Sequence, residues 1–575
     1  MNFSFFSIFK SNRTKVVSIF ILCFSFVLIG KLFMLQIVHK NYFTEKADRQ
    51  YVKNPSLLFE RGSIYFENKD GELISAATQT VEYKLAIKPN EIKNPASLYD
   101  SLSSVVSIDK TDYDLKINKK NDPHEEIASG LSKEQADKIS LLKLSGIDLP
   151  KDKKRFYPGD SLASHSIGFV AYKGDELAGR YGLERYYDNV LNRSKDNPYV
   201  NFFAEVFSNI SETIFHNEQK EGDIITTIDP RVQSVFEKEL MQVKDKYNAN
   251  SVGGIIMNPK DGSIYALTVL PSFDLNNFNK VKNVKTFSNP LVENVLEFGS
   301  IIKPLVMAGA INEGVLSADT KYNDTGSVTV DKKEIFNFDK KARGPNISMQ
   351  EVLNQSLNTG MVFVEKKLGK EKLRDYLISY GIKEKTGIDL PNETSGLVSN
   401  LYTPRELEYA NASFGQGIAL TPVEMVRALA SLGNGGELVT PHLVQKIKYA
   451  DGSVKKIVHD KKTTKLTPES SKEITRMLVG VVDSYLKIKN AKLENYSIAG
   501  KTGTAQVADL VNGGYYKDRH THSYFGYFPA SDPDYIVFLY AVNPQGTPYA
   551  STTWIDPFIN ITKFLINYYQ IAPDR

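Results

Sequence analysis

One cysteine, Cys23, stands among 575 residues. A disulfide within the chain is therefore impossible, and so is a metal cluster built on cysteine. Export compartments permit disulfides without requiring them. Stability must come from buried apolar cores. Charge of one sign is also scarce. The 71 Lys and Arg against 67 Asp and Glu leave +4, which gives no basic footprint for a nucleic-acid partner. Residues 54–220 hold no internal repeat. With 41% hydrophobic residues the chain is not broadly disordered, and its length exceeds one ordinary core, so two or three domains are expected.

Long apolar runs are lacking too, with one exception. Residues 16–38 read VVSIFILCFSFVLIGKLFMLQIV. A membrane-spanning helix needs roughly 20 such residues. Lys31 is the single charge, placed where a long side chain can snorkel toward headgroups. Lys10, Arg13 and Lys15 precede the run and no small-x-small cleavage site follows it, so an uncleaved anchor is expected after a tail of residues 1–15. Basic residues on both sides leave the orientation undecided by the positive-inside rule. Residues 41–50 read as a polar helical stalk.

Residues 54–220 mix short β-like stretches, such as 82–87, with lysine-rich ones, and hold no strong catalytic pattern. A strand is expected at 223–228, then a helix opening at Pro230. A hairpin is expected from 252–257 and 263–267 around Pro259-Lys260-Asp261-Gly262. Strands at 524–528 and 535–542 and a helix from about Pro557 close the chain. Strands, a helical block, then strands again predict an α+β domain: an antiparallel sheet with helices packed on it.

Within that block, Phe298-Gly299-Ser300-Ile301-Ile302-Lys303-Pro304 precedes an apolar helical run. Pro304 suits a first helical turn. Ser300 then sits at a helix N-terminus, and Lys303, three residues on, shares its face. A serine hydroxyl needs an adjacent base, and a lysine amine serves once burial or nearby positive charge lowers its pKa. Backbone N–H groups there can face a developing oxyanion. Ser-x-x-Lys occurs six times, beginning at Ser7, Ser107, Ser140, Ser300, Ser453 and Ser484. Only Ser300 lies between a glycine and an apolar helix.

Two further elements follow in order. Ser356-Leu357-Asn358 is the chain's one Ser-x-Asn. Alone it reads as a cap or turn pair. Beside Ser300, its hydroxyl could relay a proton and its amide could hold a substrate backbone. Lys501-Thr502-Gly503-Thr504 lies among small residues that admit a second backbone, so it reads as an edge strand onto which an extended peptide adds. Lysine and hydroxyls there suit a carboxylate. A second Lys-Thr-Gly, at Lys385, runs into Ile388-Asp389-Leu390-Pro391 and reads as structural. His520-Thr521-His522 raises a metal site, but loop histidines near the cleft are the preferred reading. Gly514-Tyr515-Tyr516 either lines a groove or packs a loop.

The three elements together are the set of penicillin-binding proteins and related β-lactamases. The chain resembles class B penicillin-binding proteins over nearly its whole length, most of all their division-type branch. Ser413-Phe414-Gly415-Gln416-Gly417, Thr386-Gly387-Ile388-Asp389-Leu390-Pro391 and Pro271-Ser272-Phe273-Asp274 carry the likeness. Upstream, Arg61-Gly62-Ser63-Ile64, Tyr157-Pro158-Gly159, His165-Ser166-Ile167-Gly168 and Gly182-Leu183-Glu184 resemble the family's non-catalytic pedestal. Residues 65–71 depart from the family's x-Asp-Arg-x-Gly, and Phe298 replaces a frequent proline.

The resemblance implies a pedestal over 39–221 and a transpeptidase domain over 222–575, outside the cytoplasm of a single-pass cell-membrane protein. It implies that Ser300 is acylated by a D-Ala–D-Ala stem peptide or a β-lactam, with Lys303 as base. Ser356 then shuttles a proton and Asn358 holds substrate. Lys501, Thr502, Gly503 and Thr504 serve the terminal carboxylate, with the N–H groups of Ser300 and Thr504 as oxyanion hole. No cofactor or metal is implied, and no nucleic acid. The implied partners are peptidoglycan stem peptides, the membrane, division proteins and a separate glycan polymerase, since 54–220 carries no recognisable glycosyltransferase motif. An elongation-type transpeptidase, a hydrolytic β-lactamase or carboxypeptidase, and a catalytically silent division scaffold are the competing readings.

Overall fold

The computed structural model describes residues 12–34, 60–174, 176–193, 221–489, 493–509 and 512–575. The expected stalk at 41–50 lies outside these. So do residues 35–38 of the expected membrane span. The described part of that span belongs to a helix, Asn12–Phe33, whose Phe20, Phe24 and Phe26 are exposed. Among the described residues no helix is long and apolar enough to cross a membrane.

The chain forms two compact units. Among the described residues one comprises 12–34 and 81–153, the other 60–80 and those described from 154 to 575. In the first, helices Pro95–Ser103, Lys110–Ile117 and Lys133–Leu141 accompany strand Glu125–Leu131. Leu85, Ile87, Leu102, Tyr113, Ile127 and Ile139 make its core. The second unit holds everything else of interest. The boundary expected at 221/222 falls inside this unit. Residues of the expected pedestal are part of it because a buried ion cluster and a shared apolar core tie them in. Arg61 reaches Glu184 at 2.6 Å and Asp188 at 2.8 Å, and Arg155 reaches Glu184 at 2.6 Å. Ile64, Phe66 and Leu183 join the same core as Phe538 and Met307.

At the centre of the second unit is a five-stranded antiparallel sheet: β1 (Ser251–Met257), β2 (Ile264–Leu270), β3 (Ala499–Ala508), β4 (Tyr515–Phe528) and β5 (Tyr535–Val542), in the order β2-β1-β5-β4-β3. The period of two along each strand feeds two cores. Ile255, Phe525 and Phe538 point to one face, while Ile256, Tyr524 and Val537 point to the other. Since both faces are covered, the central strands are apolar almost without break rather than alternating.

Helices α1 (Pro230–Lys246) and α2 (Ala550–Tyr569) cover one face, through Phe236, Leu240, Trp554 and Phe558. The last helix begins seven residues before the expected Pro557, which lies inside it. Packing of Trp554, Ile555 and Phe558 on the sheet holds a helix that its proline alone would interrupt. The other face packs on a helix spanning Lys303–Asn312 in which every residue from Lys303 to Ala310 is buried. A helix apolar all round belongs at the centre of a core.

Candidate active site

Ser300 lies in a single 3-10 turn, Gly299–Ile301, that leads directly into the buried Lys303–Asn312 helix, with Pro304 in the first turn. Three neighbours fix this turn. Gly299 N–H donates to Gly415 O at 3.2 Å, Leu296 bridges Leu420, and Ser523 Oγ on β4 donates to Phe298 O at 2.8 Å. Gly299 has φ +63°, and a Cβ there would meet Thr504 O at 2.5 Å, so glycine is required on both counts.

Lys303 is fully buried. Its Nζ donates to Ser356 O at 2.7 Å and Asn358 Oδ1 at 2.8 Å, and contacts Ser356 Oγ at 3.1 Å. The first two sequence elements, 53 residues apart, thus meet at one nitrogen. Burial, and then the charge of Lys501, push the Lys303 amine well below the usual lysine range. Ser356 sits between helices Met349–Asn354 and Asn358–Leu368 in the left-handed region, φ +56°. Such a conformation in a residue with a Cβ is strain of the kind that collects at functional sites. Asn358 Nδ2 donates to Phe336 O at 2.9 Å, which turns Oδ1 toward Lys303. Phe336 had no signal in the sequence, because it contributes only a carbonyl.

The third element is β3, at the sheet's edge, with β4 on its one strand-paired side. Alternation sends Thr502, Thr504 and Gln506 into a cleft of about 900 Å³ that Ser300, Ser356 and Asn358 also line. Gly503 faces the opposite way. A Cβ on it would collide with Phe298 O and Ser523 Oγ, so its role is to let the edge strand close on the Ser300 turn, not to touch a ligand in the cleft. Lys501 is 2% exposed, and burial lowers its amine to about 8. Thr504 Oγ1 accepts from Ala550 N at 3.2 Å, which ties β3 to the last helix.

Other residues fall differently from expectation. His520 and His522 stand on β4, not on a loop. His520 lines the cleft, whereas His522 is buried with Nδ1 2.8 Å from Thr553 Oγ1. Among the described residues no group of His, Cys, Asp or Glu could hold a metal ion. Tyr515 donates to both oxygens of Glu297 at 3.1 Å, and Gly417 N–H donates to the same carboxylate at 3.2 Å. Burial raises Glu297 to about 7. Thr386 and Gly387 of the second Lys-Thr-Gly bind the carboxylate of Glu393.

The profile of the penicillin binding protein transpeptidase domain matches residues 252–555, and that of the penicillin-binding protein dimerisation domain matches 58–227. Stage V sporulation protein D of Bacillus subtilis is 30% identical over 98% of this chain and 87% of its own. The peptidoglycan D,D-transpeptidase FtsI of Buchnera aphidicola is 25% identical, covering 96% of this chain and 94% of its own. Penicillin binding protein 2X of Streptococcus thermophilus superposes with TM-score 0.74 at 20% identity, over 89% of this chain and 80% of that one. Penicillin binding protein 3 of Mycobacterium tuberculosis, complexed with aztreonam, gives 0.67 at 22%, over 90% and 98%. At these identities the structures speak for the fold alone. With the profile covering more than half its length, the chain belongs to the penicillin-binding protein transpeptidase family.

Proposed function

We propose that this protein is a peptidoglycan D,D-transpeptidase that works through an acyl-enzyme on Ser300. The observation that carries the site assignment is the environment of Lys303: a fully buried amine hydrogen-bonded to the Ser356 carbonyl and to Asn358, below a cleft that exposes Ser300, Thr502 and Thr504.

In the neutral amine, the two N–H bonds satisfy Ser356 O and Asn358 Oδ1. The lone pair is left for a hydroxyl proton, so the amine acts as general base. Ser300 Oγ then forms a bond to the carbonyl carbon of the penultimate D-Ala. Backbone N–H groups of Ser300 and Thr504 stabilise the oxyanion. The C–N bond breaks, and the terminal D-Ala leaves as the amine after taking a proton relayed through Ser356. The amine of a neighbouring stem peptide attacks the ester, which completes the cross-link and returns the proton to Ser300. The hydroxyls of Thr502 and Thr504 receive the terminal carboxylate, and Lys501, buried on the other side of the strand and charged below about pH 8, adds its positive field. β-Lactams acylate the same serine.

The chain works at the outer face of the cell membrane, anchored by residues 16–38. The apolar sequence, broken by the single charge of Lys31 and continuing past the described helix, and the exposed phenylalanines on that helix support this. The setting is septal wall synthesis beside a separate glycan polymerase. The likeness of Ser413-Phe414-Gly415-Gln416-Gly417 to the division-type branch supports division, while the name of the sporulation relative makes a sporulation setting the second reading.

Mass spectrometry after incubation with benzylpenicillin tests the assignment. A stable adduct is expected on the peptide containing Ser300, and none in Ser300→Ala. An adduct elsewhere overturns the site. No adduct, with partner binding intact, favours a silent scaffold, and rapid turnover of the drug favours a hydrolase.

A further inference from the structure

The second Lys-Thr-Gly copy borders a cavity of about 460 Å³ that shares no lining residue with the catalytic cleft. Its floor is unusual. Arg427 lies in a helix, Pro422–Ala430, that is buried at every position, and Arg427 itself is 3% exposed. Nε donates to Val439 O at 3.0 Å. Nη1 is buried with no hydrogen-bond partner among the described residues. A guanidinium carries five N–H donors, and a buried charge is costly unless paired. Glu384, Glu393 and Glu424 attract it from a distance, yet none pairs with it directly, and burial outweighs their combined pull.

Two more cations face the cavity, Lys385 and Lys462, against two carboxylates, Glu393 and Asp460. Glu393 is already engaged. Thr386 N–H, Thr386 Oγ1 and Gly387 N–H hold it at 2.6, 2.7 and 3.1 Å. Lys462 pairs with Glu384 at 3.1 Å. Lys385 is exposed. With Glu384 and Asp460 counted the charges around the cavity balance, so it is the unused donors of Arg427 rather than net charge that suit an oxyanion, and a guanidinium is suited to two oxygens at once.

We propose that this cavity is a second ligand site that takes a small oxyanion, a carboxylate or a phosphate group, on the guanidinium of Arg427, with Lys385 as the outer cation. It lies apart from the acyl-transfer chemistry and does not depend on it.

Isothermal titration of the full chain with inorganic phosphate, and separately with acetate, against chloride at matched ionic strength tests the proposal. Saturable binding of one equivalent is expected for at least one anion, and which one binds distinguishes the two sources. Loss of a charge-assisted hydrogen bond predicts affinity lower by at least about tenfold in Arg427→Met. Lys385→Ala, at an exposed position, should weaken binding severalfold. Penicillin acylation and a thermal melt report whether each variant is folded; if Arg427→Met is not, Lys385→Ala decides. Absence of saturable binding to wild type, or affinity unchanged in the folded variants, overturns the site. So does binding that disappears in Thr504→Val but persists in Arg427→Met, since the anion then sits in the catalytic cleft.

Discussion

At the scale of residues, two lysines of the same chemistry are set to different tasks. Lys303 is fully buried beside Ser356 and Asn358, and the neighbouring charge of Lys501 adds to its desolvation. Lys501 feels burial alone and keeps its proton to about pH 8. Separated pKa values support the proposed division of the two into a base and an electrostatic partner. Lys303→Ala should slow acylation by benzylpenicillin about 10²–10⁴-fold, the usual worth of a positioned general base, with the fold intact by circular dichroism. A second expectation concerns pH. A lowered lysine pKa means charge is lost as pH rises through it. Affinity for carboxylate-bearing β-lactams should therefore fall as pH rises through about 8. The fall should be absent in Lys501→Ala, measured as the second-order acylation rate across pH. A profile identical in both proteins sinks that role. The Ser-x-x-Lys and Ser-x-Asn patterns were legible because side-chain chemistry is written in the residue types. The carbonyl of Phe336 that orients Asn358 was not, because any residue supplies a carbonyl.

At the scale of elements, the edge strand β3 does two jobs with alternate residues. Thr502 and Thr504 face the cleft, while Gly503 abuts Phe298 O and Ser523 Oγ. The strand cannot close on the Ser300 turn if position 503 carries a side chain. Gly503→Ala should cost about 1–3 kcal/mol, as overpacking does, in urea unfolding, and should reduce acylation as well because the turn and Thr504 separate. Thr502→Val changes the cleft without that clash. It should weaken substrate binding at unchanged stability. The sequence predicted this strand and the 252–257 hairpin partner correctly from alternation and small residues. It placed the last helix too late, since Pro557 reads locally as a start while the apolar faces of Trp554 and Phe558 decide the helix through packing on the sheet.

At the scale of the whole molecule, the unit that holds the catalytic cleft also recruits segments 60–80 and 154–193, which sequence likeness assigns to a pedestal. Arg61 and Glu184 are both fully buried and 2.6 Å apart, with Arg155 on the second carboxylate oxygen and Tyr157 OH nearby at 3.3 Å. Removing one member of such a cluster leaves charge uncompensated in the interior. Arg61→Ala should lower unfolding free energy by about 3 kcal/mol and lower the temperature at which penicillin labelling is lost. An unchanged melt would show that the cluster is solvated and the two segments independent. The departure from the family pattern at 65–71 does not empty this region of ion pairs. Glu67 pairs with Lys446 at 3.0 Å.

What the sequence determined by itself is the chemistry and the local elements: a serine with a lysine three positions on, two partner motifs in order, an apolar run near the N-terminus, and strands and helices from their periods. Those properties depend on residue type and near neighbours. Only the tertiary structure decided that Lys303 meets Ser356 and Asn358, that Gly503 spaces rather than binds, that Arg427 is buried without a carboxylate beside it, and where the compact units part. Each of these depends on desolvation and on contacts between residues far apart in the chain, and no local pattern records them.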